Sequence, residues 1–143
     1  MVAKPARMRE ILARVPVMPV LTIHDAAIAG ELATALVAGG VTVFEVLMRT
    51  PAAADAIRAM RAATPQAAVG AGTLLRPADV EAAVAAGASF GVAPGLTDTL
   101  AAAVRETSEL AASLGWTSEF LWNWSDAQTL EDLGRLVETC AQE

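Results

Sequence analysis

Tyrosine is absent from the 143-residue chain, while cysteine, histidine and lysine occur once each, at Cys140, His24 and Lys4. One cysteine excludes an internal disulfide and a cysteine-based zinc cluster, and one histidine excludes a paired-histidine metal site and leaves few routes to a histidine-centred triad. No metal is expected. Positive charge is scarce as well: ten basic residues, all arginine except Lys4, face sixteen acidic ones, a formal charge of -6. Such a balance repels phosphate backbones and anionic lipid where no basic patch concentrates, so neither nucleic acid nor membrane is expected as a partner. No stretch of about 18 residues stays apolar without Gly, Pro or charge, and residues 1–14 lack an apolar h-region. A cytoplasmic, unanchored protein is the expectation.

What the chain has is apolar residues, 55% of the total, with only 18% charged, enough for one core and one domain. Much of the apolar content is alanine, which favours helices and close packing. Val15 to Ile23 reads as a first strand, its two prolines fitting a strand start or edge. Asp25 stands where an N-cap belongs, and Ile28, Leu32 and Leu36 recur at helical spacing up to Gly39-Gly40. Val41 to Met48 is almost continuously apolar, as in a strand buried on both faces, and a helix follows over about 52–63. Ala67 to Ala71 makes a third strand, Pro77 opens a helix that ends at Gly87, Phe90 to Ala93 makes a fourth strand, and Thr97 caps a fourth helix. Four strand–helix units imply an α/β fold with parallel strands, either a doubly wound sheet or part of a β/α barrel. Beyond them helix continues over 107–115, a fifth apolar strand is missing, and Trp116, Trp122 and Trp124 cluster in a segment that reads as strand, turn or hydrophobic lid, with ligand stacking as the alternative. Asp126 opens a last helical pattern.

Glu45 carries the most information, because a carboxyl inside a buried strand costs several kcal/mol (roughly) unless it is protonated, hydrogen-bonded or turned to a polar cavity. Arg49, four residues on, reaches the same strand end, either as a structural ion-pair partner or as part of a ligand site at the mouth. Gly70-Ala71-Gly72-Thr73 matches only the start of a dinucleotide fingerprint, since Leu75 stands where its third glycine belongs. The glycines instead suit backbone approach to a small anion with the Thr73 hydroxyl as donor, or a tight turn. Pro94-Gly95 reads as a turn after the fourth strand, and His24 as a strand-end or loop residue.

The strings PVMPVLTI (16–23), ALVAGGVTVFEVLMRT (35–50), AAVGAGTLLRP (67–77) and GASFGVAPGLT (87–97) resemble the amino-terminal half of the KDPG/KHG aldolases over about residues 10–105. That family cleaves 2-keto-3-deoxy-6-phosphogluconate or 4-hydroxy-2-oxoglutarate to pyruvate and an aldehyde. The resemblance implies a β/α barrel of TIM type, usually trimeric, in which a lysine forms an imine with the keto acid and no metal or cofactor takes part. It implies Glu45 as the general acid/base, Arg49 and Thr73 as holders of the pyruvate carboxylate, and Pro94 as a lining residue. A pyruvate-like keto acid and a homo-oligomer are the partners it implies.

The chain departs from the family pattern in three places. Gly40, Val41, Glu45, Val46 and Arg49 match the first signature, but Leu47 and Met48 fill its Thr-(Leu or Phe) places. The Lys-Phe-Phe-Pro context of the imine lysine is missing, Glu119-Phe120-Leu121-Trp122 being its blurred counterpart with Leu121 where the lysine would stand. Thr107-Ser108-Glu109-Leu110 looks like the Thr-x-Ser-Glu-Leu segment of the family reached too soon, as though a fifth strand had been deleted. A full barrel needs about 200 residues or more. The expectation is therefore a single domain over 1–143: an aldolase-like (β/α)4 part over 1–106, about half a barrel, and a divergent helical, Trp-rich cap over 107–143. Without the imine lysine, carbon–carbon cleavage by this chain alone is not expected, and a keto-acid binder or a self-associating half-barrel is the alternative. A nucleotide-binding flavodoxin-like domain is the third reading.

Overall fold

A computed structural model of the chain describes residues 10–11, 13–95, 97–113 and 119–121. Five strands form one sheet: β1 (Val20–Leu21), β2 (Val43–Leu47), β3 (Ala68–Gly72), β4 (Phe90–Val92) and β5 (Glu119–Leu121). Every pairing is parallel and the spatial order is β1-β2-β3-β4-β5. A doubly wound sheet reverses its strand order at a switch point, whereas a barrel advances one strand at a time. The order found is the barrel order, which excludes the flavodoxin-like reading and makes the sheet part of a TIM-type barrel.

Four helices join the strands: α1 (Ala29–Ala38), entered through a 3-10 turn at Ala26–Ile28, then α2 (Ala53–Ala63), α3 (Pro77–Ala86) and α4 (Asp98–Ser113). Their ends follow local chemistry. Asp25 accepts from the Ala27 N–H at 2.9 Å, Pro77 occupies the first turn of α3, and Gly87 closes it in the left-handed region at φ 88°. Thr97 Oγ1 accepts from the Leu100 N–H at 3.2 Å at the start of α4. Pro16 and Pro19, which lack an N–H, keep the first strand to two residues instead of the nine of 15–23, although the Pro19 carbonyl still accepts from Glu45 N at 2.9 Å.

Strand alternation divides the interior in two. Phe44, Val46, Val69 and Ala71 point to the helices, where they meet Ala29 and Ala33 of α1, Ala56, Ile57 and Met60 of α2, and Val80 and Ala83 of α3. On α2 the buried set Ala53, Ala56, Ile57 and Met60 falls at i, i+3, i+4 and i+7, one helical face. Burying a side chain such as Ile57 or Met60 stabilises by about 1.5–3 kcal/mol. The opposite, inner face carries Val43, Ala68 and Phe90, which pack against Ile11 and Val15.

No fifth apolar strand is expected beyond residue 106, but a fifth strand is present inside the Trp-rich segment, one of whose readings is a strand. Glu119–Leu121 pairs with β4 in the register Phe90↔Glu119, Gly91↔Phe120 and Val92↔Leu121. Apolar patterning did not reveal this strand because it is three residues long and begins with a glutamate. Trp116, Trp122, Trp124 and the helical pattern from Asp126 lie outside the described residues, as does most of the 107–143 cap. Among the described residues no helix is long and apolar enough to cross a membrane.

Candidate active site

The parallel strands all end on one side of the sheet, and the residues singled out from the sequence gather there. β2 stops at Leu47, so Arg49 stands in the turn that follows it, tied down by the Met48 N–H donating to the Gly72 carbonyl at 2.8 Å. β3 stops at Gly72, so Thr73 is the first residue beyond it, anchored through Leu74 N to the Val92 carbonyl at 3.1 Å. Arg49 Nε donates to Thr73 Oγ1 at 3.2 Å across the two strand ends. Thr73 holds a φ of 61°, the left-handed region that a β-branched residue seldom adopts. That backbone turns its hydroxyl to Arg49, which itself stays exposed.

Glu45 belongs to the inner face, with Val43 before it and Leu47 after it on β2. It is only 6% exposed, and among the described residues nothing donates a hydrogen bond to its carboxyl or forms an ion pair with it. Burial pushes its pKa up from the ordinary glutamate value. The structural ion pair with Arg49 is thus not formed: Arg49 lies past the end of the strand, where face alternation no longer applies, and turns to Thr73. What results is a protonatable group in an apolar wall, next to a mouth carrying a guanidinium and a hydroxyl. Such a set can hold a small carboxylate at the mouth and exchange a proton with a carbon or oxygen beside it.

Gly70-Ala71-Gly72 is neither a turn nor a nucleotide loop. These residues form the buried end of β3, paired with β2 and β4. At Gly70 a Cβ would come within 2.1 Å of the Phe90 ring, so the first glycine makes room for an inner-face aromatic. Pro94 lies in the bend after β4, at the same end of the sheet as Thr73, and is exposed. His24 is exposed in the bend after β1. Lys4 and Cys140 lie outside the described residues.

Two residues the sequence reading missed shape this end of the sheet. Thr50 Oγ1 donates to the Ile23 carbonyl and links the loops after β1 and β2. Asp79 caps the β3–α3 loop by accepting from the N–H groups of Leu75 and Arg76, each at 3.0 Å, and from Arg76 Nη2 at 2.9 Å. Burial raises the Asp79 pKa, but the bonds from the Arg76 side chain and the two backbone N–H groups outweigh it and hold the carboxyl below its usual range. The signal was present in Arg76-Pro77-Ala78-Asp79, a proline at the first helical position with an acid two residues later.

A family model for KDPG and KHG aldolases matches residues 8–115. The chain belongs to this family. Among curated relatives, the KHG/KDPG aldolase of Escherichia coli strain K12 is 45% identical over 112 residues, covering 78% of this chain and 53% of the relative. The chain thus spans about half the length of the curated aldolases it matches. A crystal structure of the 2-keto-3-deoxy-6-phosphogluconate aldolase of Zymomonas mobilis ZM4 with 3-phosphoglycerate superposes with a TM-score of 0.66 at 36% identity, covering 94% of this chain and 72% of that one. The KDPG aldolase of Legionella pneumophila, with pyruvate captured as a covalent carbinolamine, gives a TM-score of 0.62 at 38% identity, covering 73% of this chain and 56% of that one.

Proposed function

We propose that this chain carries the proton-transfer and carboxylate-binding part of a class I aldolase site and binds a pyruvate-like 2-keto acid there. The observation that carries this reading is the Arg49 Nε to Thr73 Oγ1 bond at the open strand ends, with the buried Glu45 carboxyl on the inner face behind it. The Arg49 guanidinium and the Thr73 hydroxyl bind the carboxylate of the keto acid, a charge-assisted pairing that is stronger than neutral hydrogen bonds. Pro94 bounds the site on the β4 side. Glu45, kept protonatable by its burial, passes protons between water and the carbon next to the keto group. Cleavage of KDPG or 4-hydroxy-2-oxoglutarate needs an amine that condenses with the keto group and withdraws electrons from the breaking bond. By likeness to the family's lysine segment Leu121 stands where that amine would be, and the sole amine side chain in this sequence is that of Lys4. Binding therefore outlives cleavage in the proposed activity. A calorimetric titration with pyruvate tests it: saturable binding in the wild type that is lost in Arg49→Ala supports the reading, and equal heats from both proteins overturn it.

A second reading, self-association, is favoured by the exposed first strand. β1 has a strand neighbour on one side among the described residues, and Val17 and Val20 beside that edge are 65% and 54% exposed. Unpaired strand edges with apolar side chains favour association. A homo-oligomer formed there would show a mass that rises with concentration in sedimentation equilibrium, whereas a constant monomer mass would oppose it.

A further inference from the structure

β3 presents three inward positions in succession, Ala68, Gly70 and Gly72, so a shallow trough runs down the inner face between the side chains of β2 and β4. The trough is used twice. The Phe90 ring from β4 fills it at Gly70. At Gly72, a Cβ would stand 1.7 Å from Glu45 Oε1, 2.6 Å from Glu45 Cδ and 2.8 Å from Leu47 Cδ2. The strand register pairs Glu45 with Gly70 and Leu47 with Gly72, so the Glu45 side chain leans two residues forward along β3, toward the strand end and Thr73.

Glycine at position 72 is not needed for the backbone. Gly40 and Gly87 have positive φ among the described glycines, whereas Gly72 lies in a paired strand where any residue could adopt the conformation. Space is the remaining reason, and the atoms that occupy that space are the carboxyl of Glu45 and the far end of the Leu47 side chain. Leu47 can rotate away at its tip. The carboxyl cannot stay where it is.

We propose that Gly72 is a positioning residue: its missing side chain leaves the pocket in which the Glu45 carboxyl lies, one residue before Thr73 and out of water. An alanine there drives the carboxyl off β3 and toward the open strand ends. The consequence for proton transfer rests on the function proposed above; the geometry does not.

The test is a carbon-13 carboxyl titration of the full chain, with the Glu45 signal assigned from Glu45→Gln. In Gly72→Ala the Glu45 titration midpoint falls toward the ordinary glutamate value while the other carboxyls stay put; an unmoved Glu45 midpoint overturns the proposal. If Gly72→Ala does not fold, the double variant Gly72→Ala/Glu45→Ala decides. Recovery of a cooperative melt close to that of Glu45→Ala supports the proposal, because removing the carboxyl removes the obstruction. A double variant as unfolded as the single one refutes it. Pyruvate binding lost in Arg49→Ala alongside an unmoved Glu45 midpoint would sink the positioning role and leave the proposed function intact, and the opposite pair of results would do the reverse.

Discussion

Arg49 and Thr73 are joined by a hydrogen bond of 3.2 Å although they follow different strands, and Thr73 makes it while holding a φ of 61°. A β-branched residue in the left-handed region costs about 1–3 kcal/mol, so the fold sacrifices stability to aim that hydroxyl. Thr73→Gly should separate the two effects. Denaturant melts should show stability held or raised by up to about 1 kcal/mol, while pyruvate affinity falls by about tenfold through loss of one bond to a charged group. A variant that loses stability and keeps its affinity would show that Thr73 serves packing.

Glu45 makes stability depend on pH. Burial raises its folded pKa above the unfolded value, so its contribution is fully present below the unfolded pKa and is lost as pH rises through the folded one. Glu45→Gln keeps the shape and removes the titration. Chemical melts at several pH values should show the wild type weakening from acid toward neutral pH and the variant weakening less, ending more stable than the wild type at pH 7. Parallel curves for the two proteins would mean that water reaches the carboxyl.

Asp79 acts in the opposite sense. Its carboxyl is held below the usual range, so its contribution is present above the unfolded pKa and is lost as pH falls through the folded one. Asp79→Ala removes the cap of α3 and should cost about 1–2 kcal/mol near neutral pH, a difference that narrows on acidification. Thermal melts of the two proteins at neutral and at acid pH would check both the size and the narrowing.

Ile57 tests the helix-facing core. It is fully buried on α2 against the outward residues of the sheet, and Ile57→Ala should destabilise by about 2–5 kcal/mol, read from the midpoint shift in urea at unchanged slope.

The parts of the fold legible in the sequence are those with long periodic patterns or end signals. β2 to β4 and the helices between them fall within a residue or two of where the apolar runs, Asp25, Pro77, Gly87 and Thr97 put them. β1 was overestimated because two prolines limit its pairing without disturbing its apolar character. β5 falls in the Trp-rich segment that reads as strand, turn or lid, and its three residues, one of them glutamate, leave no period to choose among these. In the site, Glu45 stands out as a charge in an apolar strand, Arg49 follows it to the same strand end and Thr73 closes the glycine segment as a hydroxyl donor, while their role as carboxylate holders comes from likeness to the family. The link between Arg49 and Thr73 could not be read, since it depends on the register of β2 with β3 and on the backbone turn at Thr73. For the same reason Gly70 and Gly72 leave backbone approach to an anion and a tight turn both open: a glycine that yields its space to a neighbouring strand has the same letter as one that bends the chain.

The proposed keto-acid site lacks its amine. Borohydride trapping with pyruvate, read by intact mass on folded wild-type protein and on Leu121→Lys, tests it most directly. Leu121 stands on β5 in register with Val92, and the likeness of Glu119-Phe120-Leu121-Trp122 to the family's lysine segment is the reason for supplying an amine there. The expected result is no adduct on the wild type and one pyruvate-sized adduct on Leu121→Lys. An adduct on the wild type, or none on a folded Leu121→Lys, would contradict it.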